Sequence, residues 1–135
     1  MLLIDNSAWA RRGQPDVRAR VADLLEANEV AVCLPFLLEA GYSARSADEH
    51  DQIVTDLARL QHVAIDAEVE SLALEAQQRL ARRGHHRLPP SDLIIAACAH
   101  RSGAGILHYD RDYDLIAEHT DLSFESVWLA PAGSL

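Results

Sequence analysis

Short apolar runs alternate along the chain with longer stretches in which apolar residues return every three or four positions. The run VAVCL, residues 30–34, is β-branched, continuous and without charge, as expected of a strand that is covered on both faces of a sheet. The longer stretches have the spacing of one helix face. The clearest of them places Val69, Leu72, Ala76 and Leu80 on one face and ends at Gly84, a residue suited to the left-handed position after a helix.

These patterns predict strands at Leu2–Ile4, Val30–Leu34, His62–Ile65, Ala104–Tyr109 and Ser123–Leu129. The predicted helices begin at Pro15, Pro35, Asp48, Asp66, Asp92 and Asp114, and they end near Leu25, Ala44, Leu60, Gly84, Gly103 and His119. Strands that alternate with helices form βαβ units, so we expect an α/β fold with a mostly parallel central sheet flanked by helices in three layers. Residues 1–135 should form one domain, with its functional crevice beyond the carboxyl ends of the strands.

The composition adds a strong negative charge and excludes several classes of protein. Of 135 residues, 49% are hydrophobic and 24% are charged, which is the usual mixture of a globular protein, and the formal net charge is −9. No apolar run approaches the roughly 20 residues that span a membrane. Met1–Ile4 reach Asp5 without a basic segment or a long apolar segment, so we expect no signal peptide and a cytoplasmic protein.

All the basic residues are arginine, and the absence of lysine excludes further chemistry. A phosphate-binding Walker A loop and Schiff-base catalysis both need a lysine. Phosphotransfer through an acyl-phosphate aspartate is disfavoured for the same reason, since receiver domains carry an obligatory lysine. The histidines form no HExxH or comparable zinc pattern, and Cys33 and Cys98 lie inside apolar runs, where we expect small core residues.

Four acids stand where a solvated surface charge is unexpected. Asp5 and Asp110 each follow an apolar strand, so both should emerge at the carboxyl edge of the sheet. Asp92 opens an apolar helix that can start at the same edge. Glu39 interrupts the hydrophobic stretch LPFLLEA, and an unpaired buried glutamate is costly. The sequence therefore predicts that these four carboxylates meet in one crevice.

Carboxylates within about 4–6 Å of one another raise each other's pKa, and a divalent cation relieves their repulsion. Oxygen ligands favour Mg²⁺ or Mn²⁺, whereas zinc normally brings His or Cys ligands. Oxygen-only sites with such ions hydrolyse phosphodiesters by activating water and neutralising the charge that develops. Individual acids also have simpler interpretations, because Asp92 can favour its helix dipole and Asp5 can form a turn.

Four segments, taken in register, resemble one family. They are LIDNSAW, LLEAGYSAR, PPSDLIIAACA and ILHYDRDYDLIAE, and the likeness extends over essentially the whole chain. The chain resembles a PIN domain, specifically the ribonuclease toxin of a VapBC toxin–antitoxin module. The resemblance implies a Mg²⁺- or Mn²⁺-dependent endoribonuclease, the toxin of a type II system, with tRNA or rRNA as its substrate. Its acidic quartet corresponds to Asp5, Glu39, Asp92 and Asp110.

The resemblance also implies roles for single acids. Asp5 and Asp92 correspond to direct metal ligands, and Asp110 to an acid that binds through water or a second metal. Glu39 corresponds to the residue that orients the attacking water. Asp112 is the second acid of the D-x-D pair and is expected to be an auxiliary ligand.

Two neighbours of these acids, Ser7 and His108, also belong to the expected site. The hydroxyl of Ser7 is expected to hold a metal-bound water. The family's usual hydroxyl residue, two positions before the acid of the fourth strand, is His108 here. This departure leaves the surroundings of Asp110 open, although it does not affect the acids themselves.

The only basic cluster, RRGHHR, lies directly before the PPSD segment. Arg82, Arg83 and Arg87 are therefore candidate contacts to RNA phosphates at the rim of the site, and the alternative is a solvated helix end. Trp9 has two interpretations, stacking on a base or packing against the first helix. Trp128, in the last predicted strand, is expected in the core.

The resemblance implies protein partners, namely a cognate VapB-type antitoxin and a second copy of the chain in a homodimer. We expect the antitoxin to insert an arginine among the acids, because a guanidinium pairs bidentately with carboxylates. Its apolar anchors should lie between the PFLLEAGYSA helix and the helix that follows. The predicted lining residues are Phe36, Leu37, Tyr42 and Ile53. The competing function is a catalytically degenerate PIN domain that acts as a binding or scaffold module, which the loss of quartet acids would indicate.

Overall fold

The structure, a computed structural model, describes residues 1–135 and contains five strands and seven helices. The strands are β1 (Leu2–Ile4), β2 (Val30–Val32), β3 (Gln61–His62), β4 (Gly105–His108) and β5 (Ser126–Trp128). The helices are α1 (Asn6–Trp9), α2 (Arg18–Glu26), α3 (Leu34–Tyr42), α4 (Ala47–Leu57), α5 (Ala67–Arg82), α6 (Pro90–Ser102) and α7 (Asp112–His119). No helix is both long and apolar enough to cross a membrane.

The strands form one sheet in the order β3-β2-β1-β4-β5, and every neighbouring pair is parallel. Leu3 lies at the centre, opposite Ala31 on β2 and Ile106 on β4. The predicted α/β class with a mostly parallel sheet is confirmed. Because the chain leaves β1 in one direction and later returns to its other side, the strand order reverses between β1 and β4, which places the crevice beyond their carboxyl ends.

The two central strands and α6 form the middle of the core. Leu3, Ile4, Ile106 and Leu107 have no exposed surface, and α6 packs Ile95 against β1 and β4 with none exposed either. Full burial of such aliphatic side chains stabilises a fold by about 1.5–3 kcal/mol each. The carboxyl ends of β1 and β4 therefore emerge from a well-packed part of the core. Both cysteines, Cys33 and Cys98, are buried, as the apolar runs around them predict.

Several element boundaries follow from local capping. The Asp66 carboxylate accepts the Val69 backbone N–H at 2.9 Å, which starts α5, and Gly103 ends α6 with a left-handed φ of 71°. The second strand is shorter than predicted. Cys33 is the N-cap of α3 and Pro35 lies in its first turn, so the helix begins where the apolar run VAVCL was expected to continue as a strand.

Three local features were missed or left open by the pattern. The DNSAW segment was expected to be a turn and contains the four-residue helix α1. Trp128 is not in the core: it lies on the edge strand β5, half-buried, and its Nε1 donates to Asp114 Oδ2 at 2.9 Å. Trp9 packs edge-on against Phe36 of α3, with ring centroids 6.1 Å apart, whereas the packing interpretation named the first predicted helix.

Candidate active site

Asp5 and Ser7 join the turns that follow the two central strands. Asp5 comes directly after β1 and caps α1, with its Oδ2 accepting the Ser7 backbone N–H at 2.9 Å and the Ser7 hydroxyl at 2.5 Å. The same hydroxyl oxygen accepts the backbone N–H of Tyr109, just after β4, at 2.9 Å. The Ser7 hydroxyl thus links the two turns, and one lone pair of its oxygen remains for the expected contact with a metal-bound water.

His108 supports the turn that carries Asp110 through a hydrogen bond. The Asp110 backbone N–H donates to His108 Nδ1 at 3.1 Å, and His108 Nε2 lies 2.7 Å from Ser126 Oγ. Because Ser126 Oγ donates its own proton to Asp114 Oδ1 at 2.6 Å, the His108 Nε2 must be the donor to that serine. Burial lowers the pKa of His108, so the ring is neutral with its proton on Nε2. His108 therefore supports the Asp110 backbone in this chain.

Asp92 and Asp5 share one hydroxyl. Tyr113 Oη contacts Asp5 Oδ1 at 2.7 Å and Asp92 Oδ1 at 3.2 Å, and the tyrosine has no exposed surface. Asp92 lies in the first turn of α6 with 6% of its surface exposed. Burial, followed by the charges of Asp5 and Asp110, raises the pKa of Asp92 to about 8.

The other oxygen of Asp92 is left without a partner. Asp92 Oδ2 is buried and makes no hydrogen bond, although most buried polar atoms in proteins have one. Asp92, Asp110 and Asp112 each offer a carboxylate oxygen, and these oxygens lie within 4.8 Å of one another. Burial, together with the charge of Asp110, raises the pKa of Asp112 as well. Asp112, expected only as an auxiliary ligand, therefore lies in the central group.

Asp5 is not one of these three acids, and hydrogen-bond donors already occupy most of its lone pairs. Its Oδ2 accepts two hydrogen bonds and its Oδ1 accepts one from Tyr113. A carboxylate oxygen has two lone pairs, so only one lone pair of Oδ1 remains available to a ligand. Asp5 can therefore contribute a single oxygen, in one direction.

Glu39 is not brought into the group of three. It lies on α3, half-buried, and its carboxylate takes part in no hydrogen bond or ion pair. The expectation that Glu39 is buried is not met, since the apolar stretch around it also exposes Leu38 by 63% and Tyr42 by 92%. Helix α3, which carries Glu39, packs against α1 and α6, the helices that begin at Asp5 and near Asp92.

The donor set fits a hard divalent cation. All its atoms are carboxylate oxygens, which suit Mg²⁺ or Mn²⁺, and no histidine or cysteine lies among them as zinc would require. The unpartnered Asp92 Oδ2 is the atom whose burial such an ion would compensate.

Sequence reasoning missed Tyr113, which connects the two acids. A usable signal was present: in HYDRDYD, Tyr113 follows Asp110 by three residues, which places it in the first turn of α7, on the same helix face as the buried Ile116. The spacing predicts that Tyr113 faces the core. What the pattern does not show is the direction of its hydroxyl.

The predicted RNA-binding arginines Arg82, Arg83 and Arg87 are all exposed and form no ion pair. Arg83 Nη1 lies 3.3 Å from Nδ1 of His119, the last residue of α7. Asp112 is the first residue of that helix, about 10 Å away by helix rise. The guanidinium of Arg83 is thus directed to the far end of α7 from the acids.

Comparison with known proteins identifies the family. The chain matches the PIN domain family over residues 2–119. Ribonuclease VapC18 of Mycobacterium tuberculosis is 36% identical over 98% of this chain and 97% of its own length, and ribonuclease VapC51 of the same organism is 37% identical over 98% and 96%. The chain belongs to the VapC family of PIN domains.

Solved VapBC structures share the fold of this VapC-family domain. VapBC2 from Rickettsia felis, bound to a DNA fragment from its promoter, aligns with a TM-score of 0.74 at 14% identity, covering 94% of this chain and 98% of the other. VapBC-5 from Mycobacterium tuberculosis aligns with a TM-score of 0.66 at 20% identity, covering 93% and 98%. The parallel sheet and its flanking helices are therefore the VapC architecture.

Proposed function

We propose that this chain is a metal-dependent endoribonuclease and the toxin of a type II toxin–antitoxin system. The observation that carries the proposal is the buried, unpartnered Oδ2 of Asp92, grouped with oxygens of Asp110 and Asp112. The names of the VapC relatives support ribonuclease activity. A degenerate scaffold is not favoured, because Asp5, Glu39, Asp92 and Asp110 are all present.

Asp92, Asp110 and Asp112 would hold Mg²⁺ or Mn²⁺, with the remaining lone pair of Asp5 Oδ1 as a further ligand. When bound, the ion supplies Lewis acidity, a more acidic water and neutralisation of the developing phosphate charge. The protein's own contribution is to hold these oxygens in place. Tyr113 orients both Asp5 and Asp92.

Glu39 has a different role in this proposal, which is to act on the attacking water. Its carboxylate has no partner in the fold, so it is free to orient the attacking water and accept its proton. The substrate is RNA, with tRNA or rRNA as the proposed targets, and the site of action is the cytoplasm. Arg82, Arg83 and Arg87 are exposed enough to contact phosphates of a long substrate, outside the acidic group.

The test is to incubate the purified, antitoxin-free chain with total cellular RNA and Mg²⁺ or Mn²⁺ and to map the cut ends. Asp92→Asn is the matched inactive control. We expect discrete cuts that need both the metal and Asp92. Metal binding has its own readout, because a ligand of the native state raises stability by about 2.7 kcal/mol at a hundredfold excess over Kd. An unchanged melting temperature in millimolar Mn²⁺ would support the degenerate domain instead.

A VapB-type antitoxin is the proposed partner, with an arginine placed among the acids as a plug. An apolar groove of about 290 Å³ between α3, α4 and the β2–β3 edge is suited to its anchors, and Leu37 and Ile53 line it together with Val54 and Leu57. Two residues were wrongly expected in this lining. Phe36 is completely buried under Trp9, and Tyr42 is 92% exposed and lies outside the groove.

The co-expressed complex tests the partner. Antitoxin truncated before its C-terminal arginine should lose inhibition, and Mn²⁺ should compete with the intact segment. Full inhibition by an antitoxin without any arginine would contradict the plug. A homodimer is also proposed, and light scattering of the purified chain measures its mass directly.

A further inference from the structure

Arg11 differs from every other arginine of the chain. All eleven others are exposed, whereas Arg11 is half-buried at the end of the α1 turn. Its Nη1 donates to the Ser7 carbonyl oxygen at 2.8 Å, and its Cζ lies 4.5 Å from the centre of the Tyr109 ring. The guanidinium is therefore held by a hydrogen bond on one nitrogen and by an aromatic face.

These two contacts place Arg11 between the acid-bearing turns. Ser7 contacts Asp5 through its hydroxyl, and Tyr109 immediately precedes Asp110. Even so, no carboxylate lies within 4.0 Å of the Arg11 guanidinium, unlike those of Arg45, Arg79 and Arg101. Arg11 is thus a cation close to the acids, and its remaining N–H groups donate to no other atom.

An RNA phosphate needs such a cation to approach this edge of the molecule. The chain has a formal charge of −9, and three of its acids are grouped at the proposed site of cleavage. A guanidinium presents its N–H donors in a plane that matches two phosphate oxygens. Because Arg11 is already held in place, it loses less side-chain freedom on binding than an exposed arginine does.

We infer that Arg11 binds the RNA phosphate next to the cleavage site. The inference rests on the proposed function and goes beyond it, because it names the residue that receives the substrate. Arg82, Arg83 and Arg87 then make outer contacts, and Arg11 makes the inner one.

Arg12 offers a matched control one residue away. Its Nη1 also donates to a backbone carbonyl oxygen, that of Trp9, at 2.8 Å, and its Cζ lies 4.0 Å from the centre of the Trp9 ring. Arg12 contacts neither Ser7 nor Tyr109. The acid whose charge acts on its guanidinium is Asp56 on α4. The two arginines thus have the same kind of local anchor on different sides of α1.

The experiment measures binding of a single-stranded oligoribonucleotide over a series of salt concentrations, in an Asp92→Asn background that prevents cleavage. Arg11→Gln should weaken binding about tenfold at low salt and lower the salt slope by about 0.7. Arg11→Lys should keep the slope, because it keeps the charge, and Arg12→Gln should behave like the parent. In the chain with Asp92 intact, Arg11→Gln should raise KM for RNA more than it lowers kcat.

A purely structural role for Arg11 has a different signature. It would lower the melting temperature of Arg11→Gln and leave the salt slope at the parent's value, which overturns the inference. Loss of antitoxin affinity with an unchanged RNA slope overturns it as well. Failure of the proposed function is distinguishable, since it shows as absence of RNA cleavage by the wild-type chain, whereas the salt slope does not depend on cleavage.

Discussion

The turn after β1 and the first turn of α6 bring one carboxylate each to the same tyrosine hydroxyl, yet they leave the two in opposite states. Asp5 receives three donors, from the Ser7 backbone, the Ser7 hydroxyl and Tyr113. Asp92 receives only the longer contact from Tyr113, and its second oxygen has no partner. Both side chains are buried.

The two acids show how a fold can form a cation site in the absence of the cation. Donors from the protein compensate the burial of Asp5, so this acid is oriented in advance. Nothing in the protein compensates Asp92 Oδ2, so this acid requires a proton or a cation. The free-energy cost of burial therefore falls on Asp92 Oδ2, the atom to which a cation would bind.

The largest effect should come from replacing each acid by its amide. Asp92→Asn and Asp5→Asn should both abolish RNA cleavage, but their stabilities in metal-free buffer should diverge. Self-repulsion alone predicts that both variants are as stable as the parent or more so. Asp92→Asn should follow that prediction. In Asp5→Asn the amide N–H₂ replaces an oxygen that accepts a hydrogen bond from Ser7 or Tyr113, and the loss of that acceptor costs about 1–3 kcal/mol.

Thermal and urea unfolding of both variants measure this divergence. Equal stabilisation by the two substitutions would show that the donors around Asp5 contribute nothing. Wild-type cleavage by either variant would instead remove that acid from the proposed site.

The pH dependence of stability should show the state of Asp92. Its folded pKa of about 8 lies above its unfolded value, so between the two the native state binds one more proton than the unfolded chain. Stability without metal should therefore fall as pH rises from about 4 to 8, by up to about 1.4 kcal/mol per unit. Denaturant unfolding across this range measures the slope, and Asp92→Asn should flatten it. A parent and variant with the same slope would contradict the assignment to Asp92.

Removing the shared hydroxyl should have an intermediate effect. Tyr113→Phe keeps the aromatic ring, whose centroid lies 4.9 Å from that of His108, but removes the hydroxyl that contacts Asp5 and Asp92. Since residues that orient metal ligands matter strongly, Mn²⁺ affinity should fall about tenfold. Calorimetric titration with Mn²⁺ measures it. Tyr109→Phe is the control, because it loses a hydroxyl that accepts only the Leu135 backbone N–H, and it should bind Mn²⁺ as the parent does.

Glu39→Gln should have the smallest effect on stability. The Glu39 carboxylate has no partner and is half-buried, so the free energy of unfolding should change by less than about 0.5 kcal/mol. RNA cleavage should nevertheless slow, with Mn²⁺ affinity close to the parent's, because the proposed role is proton transfer. Loss of Mn²⁺ affinity comparable to that of Tyr113→Phe would make Glu39 a ligand instead.

The fold was largely predictable because its signals are local. The runs LLI and GILH are uncharged and lie in central strands, and helix starts such as Asp66 depend on a side chain and a backbone N–H three residues apart. Boundaries were less predictable. At Cys33 and Leu34 the same apolar residues suit a strand or a helix, and Pro35 decides in favour of the helix only in context. Trp128 was misplaced because its pattern does not show that β5 lies at the sheet edge.

The sequence by itself determined which acids stand at strand ends and helix starts, because periodicity places Asp5, Asp92 and Asp110 relative to their own elements. Only the tertiary structure decided which oxygens remain free. That depends on a hydroxyl from Tyr113, which is 108 residues from Asp5 and 21 from Asp92. Hydrogen bonds over such separations have directions that no local pattern encodes, so they exist only once the sheet has brought the turns together.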